Sequence, residues 1–446
     1  MGQLAGVRVL VDGYNLEMTK GTGIKTYGIS LLRALHELGA TTDILFSRDI
    51  AQTQNSILDE VLFFDVEPLD DPTRLDILIK RARLAVKLLK TLTGQVEIAS
   101  QIQTSDVVLK RPLPGSLLNA LSDLVDQIGI LNLRNAYTGA NGLFKLTKRF
   151  TYLDVPTPVD VFHATYPLPV EVKGAKMITT VHDLIPLRLP YATLDNKRAF
   201  YDLVGQTLQR SDAIITVSQH SKDDILAIYD VNPDKIWVTY QPIALQPLAD
   251  SSDQAVGQYV KKFGLGHQQY ILFVGAIEPK KNVGRLIDAY AGLDTDVPLV
   301  VVGKKGWLWK DVLNRLKDDG FGTLSRRVRL LEYVTMEDLK HLYAGALCFA
   351  FPSLYEGFGL PPLEAMTFDC PVITSNVSSL PEVCGDAALY VDPYDVNDIR
   401  AKLQQMLSDA ALRQQLVAAG RQRAEEFSTQ NYIDRLSKVY SHVAAQ

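Results

Sequence analysis

Three cysteines in 446 residues, Cys348, Cys370 and Cys384, form no C-x-x-C pair, and an odd count argues against a disulfide framework. A reducing compartment is the simpler setting. Basic charge is not in excess either. Lys and Arg number 46 against 51 Asp and Glu, a formal net charge of −5, so nothing supports general nucleic-acid binding. No apolar run approaches the ~20 residues that a membrane-spanning helix needs. The opening MGQLAGVRVLVDGYN lacks the charged start and long apolar core of a signal peptide and reads as a buried first strand. A cytoplasmic protein is expected. Repeats and low-complexity segments are absent from the sequence.

What is present is a globular balance, 47% apolar and 22% charged, over a length suited to two or more domains. Short apolar runs alternate with helical patterns, the sign of a parallel α/β architecture. The clearest predicted strands are Val7–Val11, Lys176–Val181, Ala213–Val217, Tyr270–Val274, Pro298–Val302, Val328–Leu331, Leu347–Phe351 and Pro371–Thr374. Helices are predicted at Ile24–Leu38, Lys222–Tyr229, Val283–Tyr290, Met336–Ala344, Leu363–Met366 and Val396–Leu407, with Thr335 and Asp338 placed as a capping box. The Pro-, Ser- and Asp-bearing stretch Gln241–Gln254 reads as a linker. Expected domains are therefore 1–250 and 251–427, followed by a final helix, 428–446, with Tyr432, Leu436 and Tyr440 at four-residue spacing. Residues 51–150 read as a partly helical insertion, with loop signals at Arg111–Ser116 and Thr138–Gly142.

The chemically suggestive residues follow the strands, where open parallel sheets bind ligands. Asp12 and Gly13, His182 and Asp183, and Ser218 do so in the first half; Gly275, Gly303 and Ser353 do so in the second. Two ligand edges facing one cleft are implied. Each residue also has a plainer reading. KGTG (20–23) is a turn or a backbone approach to phosphate. His182 is a satisfied core histidine or a cleft residue, and Asp183 a cap or a site carboxylate. Lys280 and Lys281 are a solvated pair or a phosphate clamp.

The strongest local signal is SLYEGFGLPPLEAM (353–366). Gly357 and Gly359 free the backbone, and Pro361 and Pro362 suit a first helical turn. The N–H groups of Phe358, Gly359 and Leu360 then stand available to an anion. Glu356 and Glu364 would repel phosphate; sugar hydroxyls are their better partners. A plain helix cap flanked by surface glutamates is the alternative.

These pieces together resemble the large retaining glycosyltransferase family 4, of GT-B fold. The matching segments are GTGIKTY (21–27), HDLIPL (182–187), ITVSQHSKDDI (215–225), VGAIEPKKNVGRLIDAY (274–290), EGFGLPPLEAM (356–366) and PVITSNVSSLPEVCGDAALYVDP (371–393). Glu356 and Glu364 match the family's E-x7-E pair. The resemblance implies two facing Rossmann-like domains and a C-terminal helix crossing back to the first. His182 and Glu356 would be the catalytic pair, the latter on sugar hydroxyls. Gly23, Lys280, Lys281, Val334, Phe358, Gly359, Leu360 and Glu364 would hold the nucleotide-sugar donor, with Glu364 on the ribose. Asp183 and Ser218 would lie on the acceptor side. Ala276 departs from the pattern, since many members carry arginine there; Lys280 is the candidate replacement charge.

The style of HDLIPLR and IEPKKN is similar to bacterial mannosyltransferases of polysaccharide assembly, which implies GDP-mannose as donor and a glycan or lipid-linked acceptor. UDP-glucose and other nucleotide sugars stay open, as does a non-catalytic nucleotide-sugar-binding subunit. No cofactor and no metal are expected, because no D-x-D motif is placed as a metal site. Peripheral membrane contact is a further expectation: in IKRARLAVKLLK (79–90) basic and apolar residues form adjacent helical stripes. An amphipathic helix packed on its own domain has the same pattern.

Overall fold

The computed structural model describes residues 2–17, 23–50, 53, 55–64, 99–102, 121, 124, 127–317 and 323–445. Two sheets organise them. In the first, the strand order is Ile236–Val238, Ala213–Thr216, Lys176–Thr180, Val161–Ala164, Arg8–Asp12, Thr41–Phe46, Ile128–Asn132 and Ser100–Ile102. All pairings in it are parallel except that of the edge strand Ser100–Ile102. In the second, the order is Val328–Leu331, Leu299–Val302, Ile271–Val274, Cys348–Phe351, Val372–Ser375 and Ala388–Val391, parallel throughout. Its central strands, LVVV and CFAF, are buried at every position, as a sheet covered by helices on both faces requires.

Several helices start where the sequence offers caps. Ser218 accepts from the N–H of Ser221 to open Gln219–Ile228. Thr335 and Asp338 form the predicted reciprocal box at Met336–Ala344. Ser428 caps Thr429–Ala444, whose buried face is Tyr432, Ile433, Leu436, Val439, Tyr440 and Val443. That face belongs to the core of the first sheet, beside Tyr27, Leu31 and Leu35. The last helix thus returns to the first domain, as the resemblance implies.

Two expectations for residues 51–150 need correction. Ile128–Asn132 is no part of an insertion; it pairs with Thr41–Phe46 inside the first sheet. Thr138–Gly142 is not a loop but lies within the helix Ala136–Thr147. Gly139 is buried there, so tertiary packing outweighs its weak helical preference. The Arg111–Ser116 loop signal and the amphipathic segment 79–90 lie outside the described residues. Among the described residues, no helix is long and apolar enough to cross a membrane.

Candidate active site

Strand order in the second sheet reverses between Ile271–Val274 and Cys348–Phe351, and the loops leaving these two strands part there into a crevice. One loop carries Lys280 and Lys281, the other Ser353–Gly359. They are sewn together. The N–H of Leu354 donates to the Lys280 carbonyl at 2.8 Å. Asn282, in the left-handed region at φ 60°, donates its amide to the Pro352 and Pro393 carbonyls at 2.9 and 2.7 Å.

Across the crevice Lys281 Nζ meets Glu356 Oε1 at 2.6 Å, with both side chains largely buried. The same ammonium lies 5.0 Å from the centre of the Phe351 ring. Glu356 is also fixed through its backbone. Its N–H donates to Ser378 Oγ at 3.0 Å, and Ser379 Oγ bonds the Glu356 and Phe358 carbonyls at 2.9 and 2.7 Å. Ser378, Ser379 and Asn282 hold the site loops, and sequence reading gave them no role. Their only sequence signal was membership of the matching segments.

Beyond Glu356 the helix Leu360–Thr367 begins after Gly359 at φ 105°, with no side-chain cap. The N–H groups of Phe358, Gly359 and Leu360 enter none of the turn, loop or cap hydrogen bonds of the main chain. Donors left this way at a helix start suit an anionic or hydroxyl-bearing ligand. Glu364 sits one turn inside, accepting from Tyr343 Oη at 3.0 Å, and burial pushes its carboxyl up to about 7. Val334 packs half-buried on the second core.

The first domain contributes His182 and Asp183. The His182 carbonyl accepts from Ser221 Oγ at 2.9 Å, and a methyl at position 357 would stand 2.7 Å from it. Glycine at 357 is therefore demanded by the approach of the two domains. The His182 ring turns back into its own domain: Nε2 donates to the Thr165 carbonyl at 3.0 Å, and Nδ1 accepts from Gln241 Nε2 at 3.2 Å. Tyr27 meets it edge-on at 4.8 Å. Burial lowers its pKa to about 4, so the ring is neutral with both nitrogens engaged. Hence the main chain of His182 borders the cleft while its imidazole follows the plainer reading of a satisfied core histidine.

Asp183 is a first-domain carboxyl that meets the second-domain charges of this site. Burial raises its pKa against the pull of Lys280 and Lys281, while Glu356 adds to the rise. For Lys280 burial works against the charge, but Glu356, Glu278 and Asp183 together raise its pKa. The cluster Asp183, Lys280, Lys281 and Glu356 thus alternates sign across the domain boundary.

Ser218 and Gly23 complete the expected site residues. Ser218, expected on the acceptor side, is fully buried and donates to the Gly357 carbonyl at 2.6 Å, because its position as a helix cap drives it into the domain interface. Gly23 heads the helix Gly23–Glu37 and is exposed; residues 20–22 of its loop lie outside the described residues. Among the described residues no group of three His, Cys, Asp or Glu forms a metal cluster.

Comparisons with known proteins bear on the family and the fold. The family model for glycosyl transferases group 1 matches residues 258–423, and that for Glycosyltransferase Family 4 matches 123–246. The O-antigen chain mannosyltransferase B of Escherichia coli is 37% identical over 270 residues, covering 59% of this chain and 70% of that protein. The serotype-specific mannosyltransferase WbdA of Escherichia coli is 32% identical over 274 residues, 60% of this chain but only 33% of that protein. Among solved structures, Anabaena HepE in complex with UDP and glucose superposes with a TM-score of 0.61 at 14% identity, covering 98% of this chain and 100% of that one. Sucrose-phosphate synthase from Thermosynechococcus elongatus gives 0.62 at 17% identity, covering 98% and 99%. At such identities the likeness is one of fold.

Proposed function

The chain belongs to glycosyltransferase family 4, a family of retaining glycosyltransferases, and from that premise we propose that it transfers mannose from GDP-mannose to a glycan or lipid-linked acceptor. The observation that carries the reading is the Lys281–Glu356 pair at 2.6 Å, set at the switch point of the second sheet and faced by Asp183 from the first. The choice of mannose rests on the mannosyltransferase relatives at 37% and 32% identity.

The chemistry is departure of a nucleoside diphosphate from the anomeric carbon. Negative charge grows on the leaving phosphate and positive charge on the ring. Lys280, Lys281 and the helix start at Leu360 stabilise the first. Glu356, already held by backbone and by Lys281, orients sugar hydroxyls once the donor takes over the lysine. With no separate carboxylate nucleophile assigned, attack proceeds on the face the diphosphate leaves, and the departing phosphate accepts the acceptor's proton. Two lysines and oriented N–H groups supply the positive charge, so the reaction is proposed to be metal-independent. The segment 79–90 is proposed to rest on an anionic membrane surface on the cytoplasmic side, near a lipid-linked acceptor.

A donor panel tests this. Mannosyl transfer from GDP-mannose with retained anomeric configuration, insensitive to EDTA, is expected. Donor binding with neither transfer nor hydrolysis would instead favour a non-catalytic sugar-nucleotide sensor. Flotation with anionic liposomes tests the membrane contact, and lipid-independent behaviour removes it.

A further inference from the structure

The helix Gln219–Ile228 opens at the domain boundary with two hydroxyls, and each has one proton to give. Ser218 Oγ lies 2.6 Å from the Gly357 carbonyl oxygen of the second domain. Ser221 Oγ lies 2.9 Å from the His182 carbonyl oxygen of the first and 3.2 Å from that of Gly357. The shortest contacts give one consistent assignment: Ser218 donates to Gly357 and Ser221 to His182. The Ser221 N–H donates to Ser218 Oγ at 3.0 Å and holds the pair in register. The same helix start also takes the Glu382 carboxylate of the second domain, the N–H groups of Gln219 and His220 donating to it at 2.6 and 2.9 Å. One helical cap thus joins the loop bearing Asp183 to the loop bearing Glu356.

The consequence lies in the peptide unit. In a trans peptide the C=O and the following N–H point in opposite directions. A hydroxyl that grips the Gly357 carbonyl therefore sets the direction of the Phe358 N–H, and polarises it by pulling on the same unit. We propose that Ser218, supported by Ser221, is a positioning residue for donor transfer: it converts closure of the two domains into the aim of the Phe358 N–H at the donor. The inference rests on the reading that the Glu356–Leu360 loop holds the nucleotide sugar. In an open form the carbonyl has no such partner, and the peptide plane can turn through ψ of Gly357 and φ of Phe358, a motion the glycine on one side eases. Glu382 draws the domains together without touching that peptide, so aiming and closure are separable.

Steady-state kinetics on the full chain test the proposal. Ser218→Ala is expected to lower kcat by about ten-fold, less than the ~10²–10³-fold of removing a preorganised donor outright, because the Phe358 N–H stays and only its aim is lost. Affinity for the free nucleoside diphosphate should stay within about two-fold, because Lys280 and Lys281 are untouched. Ser218→Thr keeps a hydroxyl and should recover most of the rate. Wild-type kinetics in Ser218→Ala overturn the proposal, as does an equal loss in diphosphate binding, which marks general disorder. Should Ser218→Ala fail to fold, Ser221→Ala is read by the same two measurements, with a smaller loss expected and no loss overturning the proposal. Failure of the wild-type chain to bind or transfer from any nucleotide sugar would instead sink the functional reading and leave the hydrogen bonds themselves unaltered.

Discussion

The two sheets share one architecture and treat their switch points in opposite ways. In the first, the crevice beside Arg8–Asp12 is filled. Asp12, wholly buried, accepts from the N–H groups of Thr165 and Tyr14, and burial pushes its carboxyl up to about 6. Behind it His163 spans Tyr440 Oη at 2.6 Å and Thr180 Oγ1 at 2.8 Å, and Tyr27 also reaches Thr180 at 2.8 Å. In the second, the crevice holds Lys281 and Glu356 at its lip, with N–H groups beyond them outside the loop and cap bonding. Polar groups at strand ends are thus of two kinds: groups satisfied within their own domain belong to its packing, whereas Lys281 and Glu356, paired with one another, remain exchangeable for a ligand.

The sharpest way to break this contrast is Glu356→Ala. Transfer should fall ~10²-fold or more, the scale of removing one electrostatic stabiliser. A variant that turns over like the wild type would show that the second crevice is no more chemical than the first.

Acid should separate the two regions next. His163 and His182 are held neutral by burial, with folded pKa values lowered to about 3 and about 4 from 6.5. Their contribution is complete above the unfolded value and is lost as pH falls through the folded ones. At pH 5 each should cost on the order of 2 kcal/mol. Asp12 works the other way, because its raised value favours the folded state on acidification, and it offsets part of the loss. In the second domain Glu364, raised from 4.5 to about 7, is likewise stabilising at low pH and loses that contribution as pH rises through about 7. Hydrogen exchange at pH 7.5 and pH 5 should show the first domain opening first; equal protection would refute the contrast.

Tyr440→Phe sharpens the comparison at smaller scale. It leaves the buried His163 Nδ1 without its partner, a cost of about 1–3 kcal/mol, read from urea unfolding. Nucleoside diphosphate affinity should not move. Last, Thr335→Ala removes one half of a capping box in the second domain and should cost about 1 kcal/mol, with no change in acid sensitivity.

Much of this was legible before any coordinates. The buried strands of the second sheet are continuous apolar runs such as LVVV, and Thr335 with Asp338 announced a helix start by side-chain chemistry alone. The site was legible where local geometry demands particular residues: Gly359 at positive φ, two prolines in a first turn, and two lysines ahead of a helix. Legibility failed at Thr138–Gly142, where two glycines and an asparagine that look like a loop lie within a helix. At His182 the sequence left two readings, core histidine or cleft residue, and only the ring's hydrogen bonds to Thr165 and Gln241 separate them. Ser218 is singled out in sequence by its place after a strand, which gives no hint of the Gly357 carbonyl it meets.

The amino-acid order by itself determined the elements and the identity of the chemical groups, because periodicity, capping and backbone freedom act over a few residues. Only the tertiary structure decided which groups face each other. Lys281 and Glu356 are 75 positions apart in the chain, and Ser218 and Gly357 are 139 apart. Whether a buried histidine is satisfied, or a carbonyl is gripped by a hydroxyl from the other domain, depends on distances that no local pattern contains.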